Sequence, residues 1–280
     1  MKKKKILIIG KNGLIASHIF QFLRRKKNLV LKSISFNDFK DNNFKLYDLD
    51  YIISCSSNKN FVNNFYKEKN DYDFFIASKL KDFSTKLIII SSRKIYKSGD
   101  NLKENSKKVL KSNYSKNKFL SENKIRKILD GRYLILRLPN LLGLRIRKCK
   151  RKLHKTYLDF FLEKIKSGYI YDNNKLYKDF LPIEMFCKIV FKLISINAKG
   201  TFNISIGKKV FLNQLNNWLN FYNKNRSKLV KIPNNKNKNF NQDIFYLNNS
   251  KLLKKINMKL RLTDIKRTSL NISKKIFYEK

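Results

Sequence analysis

Four consecutive apolar residues, Ile6-Leu7-Ile8-Ile9, stop at Gly10, and a second glycine follows at Gly13. So short a run with no polar face reads as a strand buried on both sides, as in a parallel sheet covered by helices. Beyond the turn, Leu14, Ile15, Ile19, Phe20, Phe22 and Leu23 recur at helical spacing and predict a helix over 14–25. Glycine permits a tight turn and close approach by a pyrophosphate, and the helix start offers unbonded N–H groups and the positive end of its dipole. Gly10, Asn12, Gly13, Leu14 and Ile15 are therefore candidate contacts to a pyrophosphate. The chain has eight glycines in 280 residues, so two placed here carry weight. An ordinary strand-to-helix turn is the competing explanation.

The alternation continues. Apolar runs predict strands over 29–36, 51–55, 87–90 and 132–138, and helical patterns cover 72–83 and 114–129. Strands alternating with helices argue for an α/β fold, a parallel sheet with both faces covered. Beyond Leu144 the pattern changes. A basic, loop-like stretch at 145–155 precedes helices over 156–166 and 183–196, a strand over 201–206 and a helix near 212–222, with a polar stretch at 234–241. This division predicts a sheet domain over 1–143, to which 178–206 partly returns, and a smaller lobe made mainly of 144–280.

Lysine and arginine total 64 against 20 acidic residues, a formal charge of +44. A basic face neutralises nucleic-acid phosphates. Here, however, Lys, Asn, Ile, Phe and Tyr are abundant together and arginine is scarce beside lysine, which is what drift toward A/T-rich codons produces. The lysines are also dispersed, so a general attraction for anions is expected rather than a dedicated nucleic-acid surface. Cys55, Cys149 and Cys187 are odd in number and far apart, which excludes a disulfide framework and a paired-cysteine zinc site. His18 and His154 leave little for a histidine metal site. No apolar run is long enough to span a membrane, and 6–9 is too short for the core of a signal peptide. The expectation is a soluble cytoplasmic protein.

Tyr114 and Lys118 stand four residues apart. So do Tyr171 and Lys175, and in a chain this rich in lysine the spacing alone says nothing. Context separates the pairs: Tyr171 and Lys175 enclose Asp172-Asn173-Asn174, a turn signal, whereas Tyr114 opens a predicted helix that follows the strand ending at Ser91-Ser92. Residues i and i+4 share a helix face. An ammonium beside a phenol favours the phenolate, which makes Tyr114 a candidate general acid/base.

Taken together, these pieces resemble the extended short-chain dehydrogenase/reductase family, the NAD-dependent epimerase/dehydratase group acting on nucleotide sugars. In the family's order stand Gly10-x-x-Gly13-x-x-Ala16, Ile89-Ile90-Ser91-Ser92-x-x-x-Tyr96, Tyr114-x-x-x-Lys118 and Leu136-Arg137-Leu138-Pro139-Asn140-Leu141-Leu142-Gly143. Lys178-Asp179-Phe180-Leu181-Pro182-Ile183-Glu184, Gly200-Thr201-Phe202-Asn203-Ile204 and Leu247-x-x-Ser250-Lys251 follow. The resemblance implies a Rossmann-type doubly wound parallel sheet with a smaller C-terminal substrate-binding lobe. It also implies NAD or NADP as cofactor, a nucleotide-sugar substrate, and a homodimer meeting through the helices at 72–83 and 114–129. Tyr114 would be the acid/base, Lys118 would hold the nicotinamide ribose and tune Tyr114, and Ser92 would hydrogen-bond the reacting oxygen. Asn140 falls where the family contacts substrate, Asn70 is matched to a helical asparagine, and Cys55 and Ser56 stand in place of small apolar residues near the cofactor. Arg145, Arg147, Lys152 and Lys155 are candidate contacts for the substrate's diphosphate, with a solvated loop as the competing explanation. His18 reads as a packing residue.

The departures from the pattern point further. The family's dehydratases carry Asp-Glu directly after the catalytic hydroxyl residue, and here Arg93-Lys94 stand there, which disfavours 4,6-dehydration. The stretch from Gly13 to Cys55 is short, as though one strand–helix unit were trimmed. The usual acid ending the second strand is missing from its place, where Ser33 and Ser35 lie with Asp38 further on. With Lys32 nearby this tilts toward NADP or dual use. The resulting expectation is an NAD(P)-dependent reductase or epimerase of a nucleotide-linked sugar. The alternative is a chain that keeps the fold as a binding protein, for RNA or a protein partner, without turnover.

Overall fold

Six strands pair in parallel into one sheet: β1 (Lys4–Ile9), β2 (Leu29–Ile34), β3 (Tyr51–Ser54), β4 (Lys86–Ser92), β5 (Tyr133–Leu138) and β6 (Gly200–Asn203), in the order β6-β5-β4-β3-β1-β2. The computed structural model describes residues 3–41, 45–146, 155–171, 175–228, 230–232 and 244–279. Cys149, His154, Arg147 and Lys152 lie outside the described residues.

The period of two along a strand explains why the central runs are apolar throughout. Leu7, Ile9, Ile52, Leu87, Ile89 and Ile135 point to one face, where they pack with Ile76, Ala77, Leu80, Ile125 and Leu129 of α3 (Tyr72–Lys79), the residue after it and α4 (Asn113–Leu129). Ile6, Ile8, Ile53, Ile88, Leu134 and Leu136 point to the other face, against α1 (Leu14–Leu23) and α6 (Ile183–Ser195). Both faces of the central strands are covered, so their inner stretches have no side to give to polar residues, whereas the edge strand β2 leaves Val30 and Lys32 exposed. The helix α6 lies on α1, with Phe22 and Phe191 meeting edge to face at 6.4 Å between centroids.

The chain runs from β1 outward to β2, then crosses back to β3 on the far side of β1. That reversal separates the loops leaving β1 and β3 and opens a crevice at their C-terminal ends, the position where open α/β sheets hold ligands. Among the described residues only β2 lies outside β1, and it is followed by the short helix α2 (Phe36–Asp41). The run expected over 29–36 stops being a strand at Ile34, because Phe36 and Phe39, three apart, both turn into the core on α2.

The remaining described chain forms α5 (Tyr157–Lys166), α7 (Leu212–Leu219), α8 (Leu262–Phe277) and paired strand fragments, and the helices share one apolar core with the sheet. Asn140–Leu142 pairs with Phe180–Pro182, Tyr169–Tyr171 with Val230–Ile232, Tyr177–Lys178 with Val210–Phe211, and Gly99–Leu102 with Phe245–Leu247. The strand expected over 201–206 is shorter, Gly200–Asn203, and returns to the main sheet beside β5. Among the described residues no helix is long and apolar enough to cross a membrane, and no group of His, Cys, Asp and Glu could hold a metal ion.

Candidate active site

The crevice at the sheet's reversal has a volume of about 940 Å³. Its floor on the β1 side is the glycine turn, Gly10 through Ile15, and the opposite walls come from Cys55–Ser57, Ile90–Ser92, Tyr114 and 138–141, with Arg145, Thr156 and Tyr157 at the lobe side. Gly10 has φ +112, and a Cβ there would meet Cys55 C at 3.0 Å and Ser56 Oγ at 2.8 Å. The turn therefore demands glycine twice over, by dihedral and by space. Gly10→Ala is expected to cost about 1–3 kcal/mol of stability, read by urea unfolding; a neutral substitution would show that the turn tolerates a side chain. Gly13 caps α1 with no side-chain hydrogen bond to its first turn, and that turn carries no acidic residue. The first N–H groups of the helix are thus left for an anion to satisfy, which fits a pyrophosphate.

At the far end of the turn, Asp38 stands just past β2. Its Oδ2 accepts from the Ser35 amide and from Lys11 Nζ, both at 3.0 Å, and those bonds hold its carboxyl down at about 2. An acid is therefore present on the crevice wall, four residues beyond the end of the strand. No acid ends β2 itself, and α2 instead folds Asp38 back to the glycine turn, where it meets Lys11. Phe36 and Tyr72 stack beside it, with centroids 3.5 Å apart and planes 8° apart.

Ser92 and Tyr114 both reach the crevice. Ser92 ends β4, and its Oγ accepts from the Lys94 amide at 3.2 Å, leaving its own proton to be donated. Tyr114 lies in the first turn of α4, whose start is set by a reciprocal capping box between Ser112 and Ser115. Lys118, one turn on, does not line the crevice. It sits just beneath the wall, where Nζ donates to the Ile90 carbonyl and to Asp73 Oδ2, each at 2.9 Å. Burial alone would lower its affinity for a proton, but the carboxylate of Asp73 overrides this and holds Lys118 above the ordinary lysine range. Cys55 lines the crevice, and burial pushes its thiol up, so it stands there as a neutral group.

Asn140 and Arg145 also line the crevice. The Asn140 side chain donates to the Asp179 carbonyl at 3.3 Å, and Arg145 is joined to Asp159 at 3.3 Å. Lys155 is not among the lining residues: standing just before the N-cap of the following helix, it pairs with Glu163 at 2.8 Å and lies over the Phe160 ring. Asn70 is buried and accepts from Asn58 at 3.3 Å, away from the lining. The ring of His18 bonds the Leu144 carbonyl at 2.9 Å, a packing role. Arg93 turns inward, 3.7 Å from the Phe245 ring centroid, and Lys94 Nζ lies 5.9 Å from that of Tyr114.

Sequence reasoning passed over Asp73. A signal was present. Asp73 shares a face with Ile76 and Ala77, the buried stripe of α3, and an acid on such a stripe needs a partner.

No protein-family model matches this sequence, and no curated protein does. Solved structures match it along its length. A UDP-N-acetylglucosamine 4-epimerase from Methanobrevibacter ruminantium, in complex with UDP-N-acetylmuramic acid, superposes with a TM-score of 0.76 at 19% identity over 100% of both chains. A dTDP-glucose 4,6-dehydratase from Bacillus anthracis, in complex with NAD, gives 0.73 at 13% identity, over 99% of this chain and 96% of that one. A dTDP-4-dehydrorhamnose reductase from Clostridium acetobutylicum gives 0.72 at 15%, over 96% and 98%. The chain has the Rossmann-type fold these proteins share. Three different reactions run on it, so the fold does not choose among them.

Proposed function

We propose that this chain is an NAD(P)-dependent oxidoreductase or epimerase of a nucleotide-linked sugar, with Tyr114 as its general acid/base. The observation that carries the proposal is that the glycine turn, Ser92 and Tyr114, far apart in sequence, meet in one crevice at the point where the sheet reverses. Solved proteins of the same fold hold NAD in one case and a nucleotide sugar in another, which supports the same reading.

When bound, the nicotinamide ring gives or takes the hydride. The chain's own residues orient and move the proton. The uncapped start of α1 would hold the pyrophosphate, and Lys118 would hold the ribose next to the nicotinamide. Tyr114 would take the proton of the sugar hydroxyl in oxidation and return it in reduction. Ser92 would donate to the same oxygen, and Asn140 and Arg145 would meet the sugar and its diphosphate. The proposal leaves out 4,6-dehydration, since the two residues after Ser92 are cations and neither supplies a carboxylate. It includes a cofactor half over 1–143, a substrate half mainly over 144–280, a homodimer and a cytoplasmic setting.

Asp38 favours NAD over NADP: its carboxylate would accept from a ribose 2′-hydroxyl and repel a 2′-phosphate. NADH is expected to bind about tenfold or more tightly than NADPH, since like charges brought together in a contact cost several kcal/mol, and Asp38→Ser should narrow the gap. Nicotinamide fluorescence at moderate salt measures both; equal affinities would remove Asp38 from this role. The proposal as a whole is tested by the same titration followed by turnover assays with nucleotide sugars. A chain that binds neither NADH nor NADPH is the binding protein of the alternative reading.

A further inference from the structure

Beneath the crevice wall, Lys118 and Asp73 form an ion pair with side chains only 7% and 5% exposed. Taking an ammonium and a carboxylate out of water costs several kcal/mol each, so such a pair persists only with close contact and further hydrogen bonds. Both conditions hold. Asp73 Oδ2 is 2.9 Å from Lys118 Nζ, and its Oδ1 accepts from Ser54 Oγ at 2.6 Å, which anchors the carboxylate to the end of β3. The Ile90 carbonyl of β4 takes a second N–H of Lys118. The ammonium is thereby strung between two adjacent strands of the sheet, two residues upstream of Ser92, with one N–H left over.

We propose that Asp73 is a positioning residue of this site: its carboxylate is the counter-ion that keeps Lys118 charged and aimed in a place closed to water. The inference deepens the function proposed above and rests on that reading only for its consequence in catalysis. The Ile90 carbonyl is neutral and cannot offset a buried charge. The other titratable groups facing Lys118 do not replace Asp73. Asp71, which caps α3, attracts Lys118 only through space, because its oxygens are taken by the Phe74 amide, Ser121 and Tyr66 and none of them bonds the ammonium. Tyr114 lies one turn earlier on the same helix, with Lys94 over its ring. Cys55 is a neutral thiol on the crevice side. Without Asp73, desolvation would act on Lys118 unopposed by any directly bonded anion, and a lysine so placed gives up its proton far below its usual range.

The test is NMR of the lysine side chains labelled at Cε and Nζ, in the full chain, with the signal missing from Lys118→Met identifying Lys118. In the wild type Lys118 should stay protonated through pH 10. In Asp73→Asn its midpoint should fall by about 2 pH units or more, and any NADH affinity the protein has should decline as pH rises through that new midpoint, while wild-type affinity stays flat across it. An unchanged midpoint in Asp73→Asn overturns the proposal, since a merely structural loss would not move a titration. Should Asp73→Asn fail to fold, the double variant Asp73→Asn/Lys118→Met removes both charges. Recovery of folding in the double variant supports the counter-ion role, and its failure overturns it. The lysine titration needs no cofactor, so a wild type that binds no NADH would defeat the proposed function while leaving the role of Asp73 to be decided by the midpoint.

Discussion

Tyr114→Phe is expected to lower kcat with a nucleotide sugar by about 10²- to 10⁴-fold, the usual worth of a positioned general acid/base, while NADH affinity stays nearly unchanged. The substitution is narrow. Phenylalanine keeps the ring at the crevice wall, the Lys94 contact at 5.9 Å and the helix start set by Ser112 and Ser115, and removes only the hydroxyl. If that hydroxyl moves the proton at the reacting carbon, its work is confined to the transition state, so kcat and kcat/KM should fall together and KM should hold. Steady-state kinetics beside a fluorescence titration of NADH separates the two effects. Turnover at wild-type level would remove Tyr114 from the role, and a loss of NADH binding in parallel would make it a structural residue of the cofactor site. Ser92→Ala should lower kcat less, because the Ser92 hydroxyl supports the reacting oxygen without having to transfer the proton itself.

The parts of this site that were legible in the sequence are those that local patterning encodes. The β1 run and Gly10 were readable because a strand buried on both faces has no polar positions, and because a turn with φ +112 at Gly10 excludes other residues. The helix carrying Tyr114 was readable from its period, which placed its start within one residue. What escaped is pairing at long range. Asp73 and Lys118 are 45 residues apart, and nothing in either neighbourhood names the other. The place of Asp38 is not legible either, since the six-residue α2 that brings it back to the glycine turn is too short to show a helical period. The charge of Lys155 does not distinguish it, since 64 cations share 20 acids in this chain and nothing local says which lysine meets a substrate and which pairs with an acid such as Glu163. The strand fragments of the lobe are two to four residues long, below the length at which alternation can be recognised.

The same limit hides a second buried ion pair, that of Glu122, and Glu122→Gln is expected to cost about 3–5 kcal/mol of stability, the range for removing one partner of a buried ion pair. Glu122 lies on α4 with its side chain wholly buried, and Arg137 on β5 is 3% exposed. Arg137 grips both carboxylate oxygens, through Nε at 3.0 Å and Nη2 at 2.6 Å. Ser91 donates to one oxygen at 2.6 Å and Arg126 to the other at 2.7 Å, while Arg137 Nη1 reaches Tyr96 at 2.7 Å. Glutamine matches the shape of glutamate, so no cavity forms; what remains is an arginine in the core with its charge uncompensated and an amide N–H₂ facing a guanidinium. On a chain of this size the loss corresponds to a fall in Tm on the order of 10 °C. The pH dependence has a definite sign. Burial opposes the charge on Glu122, but the hydrogen bonds and charge of Arg137, with Ser91 and Arg126, outweigh it and hold the carboxyl below its ordinary 4.5. A group whose folded value is depressed stabilises the fold above its unfolded value, and that contribution is lost as pH falls through the folded one. The gap between wild type and Glu122→Gln should therefore be full at pH 7 and narrow as pH drops below 4.5, whereas Glu122→Gln/Arg137→Met should recover part of the loss at every pH by removing the stranded cation. Urea unfolding followed by circular dichroism across pH measures all three proteins. A loss under about 1 kcal/mol at pH 7, the value typical of exposed pairs, would mean that water reaches the cluster and that Ser91, on the strand that carries Ser92, is not held by a dry ionic core.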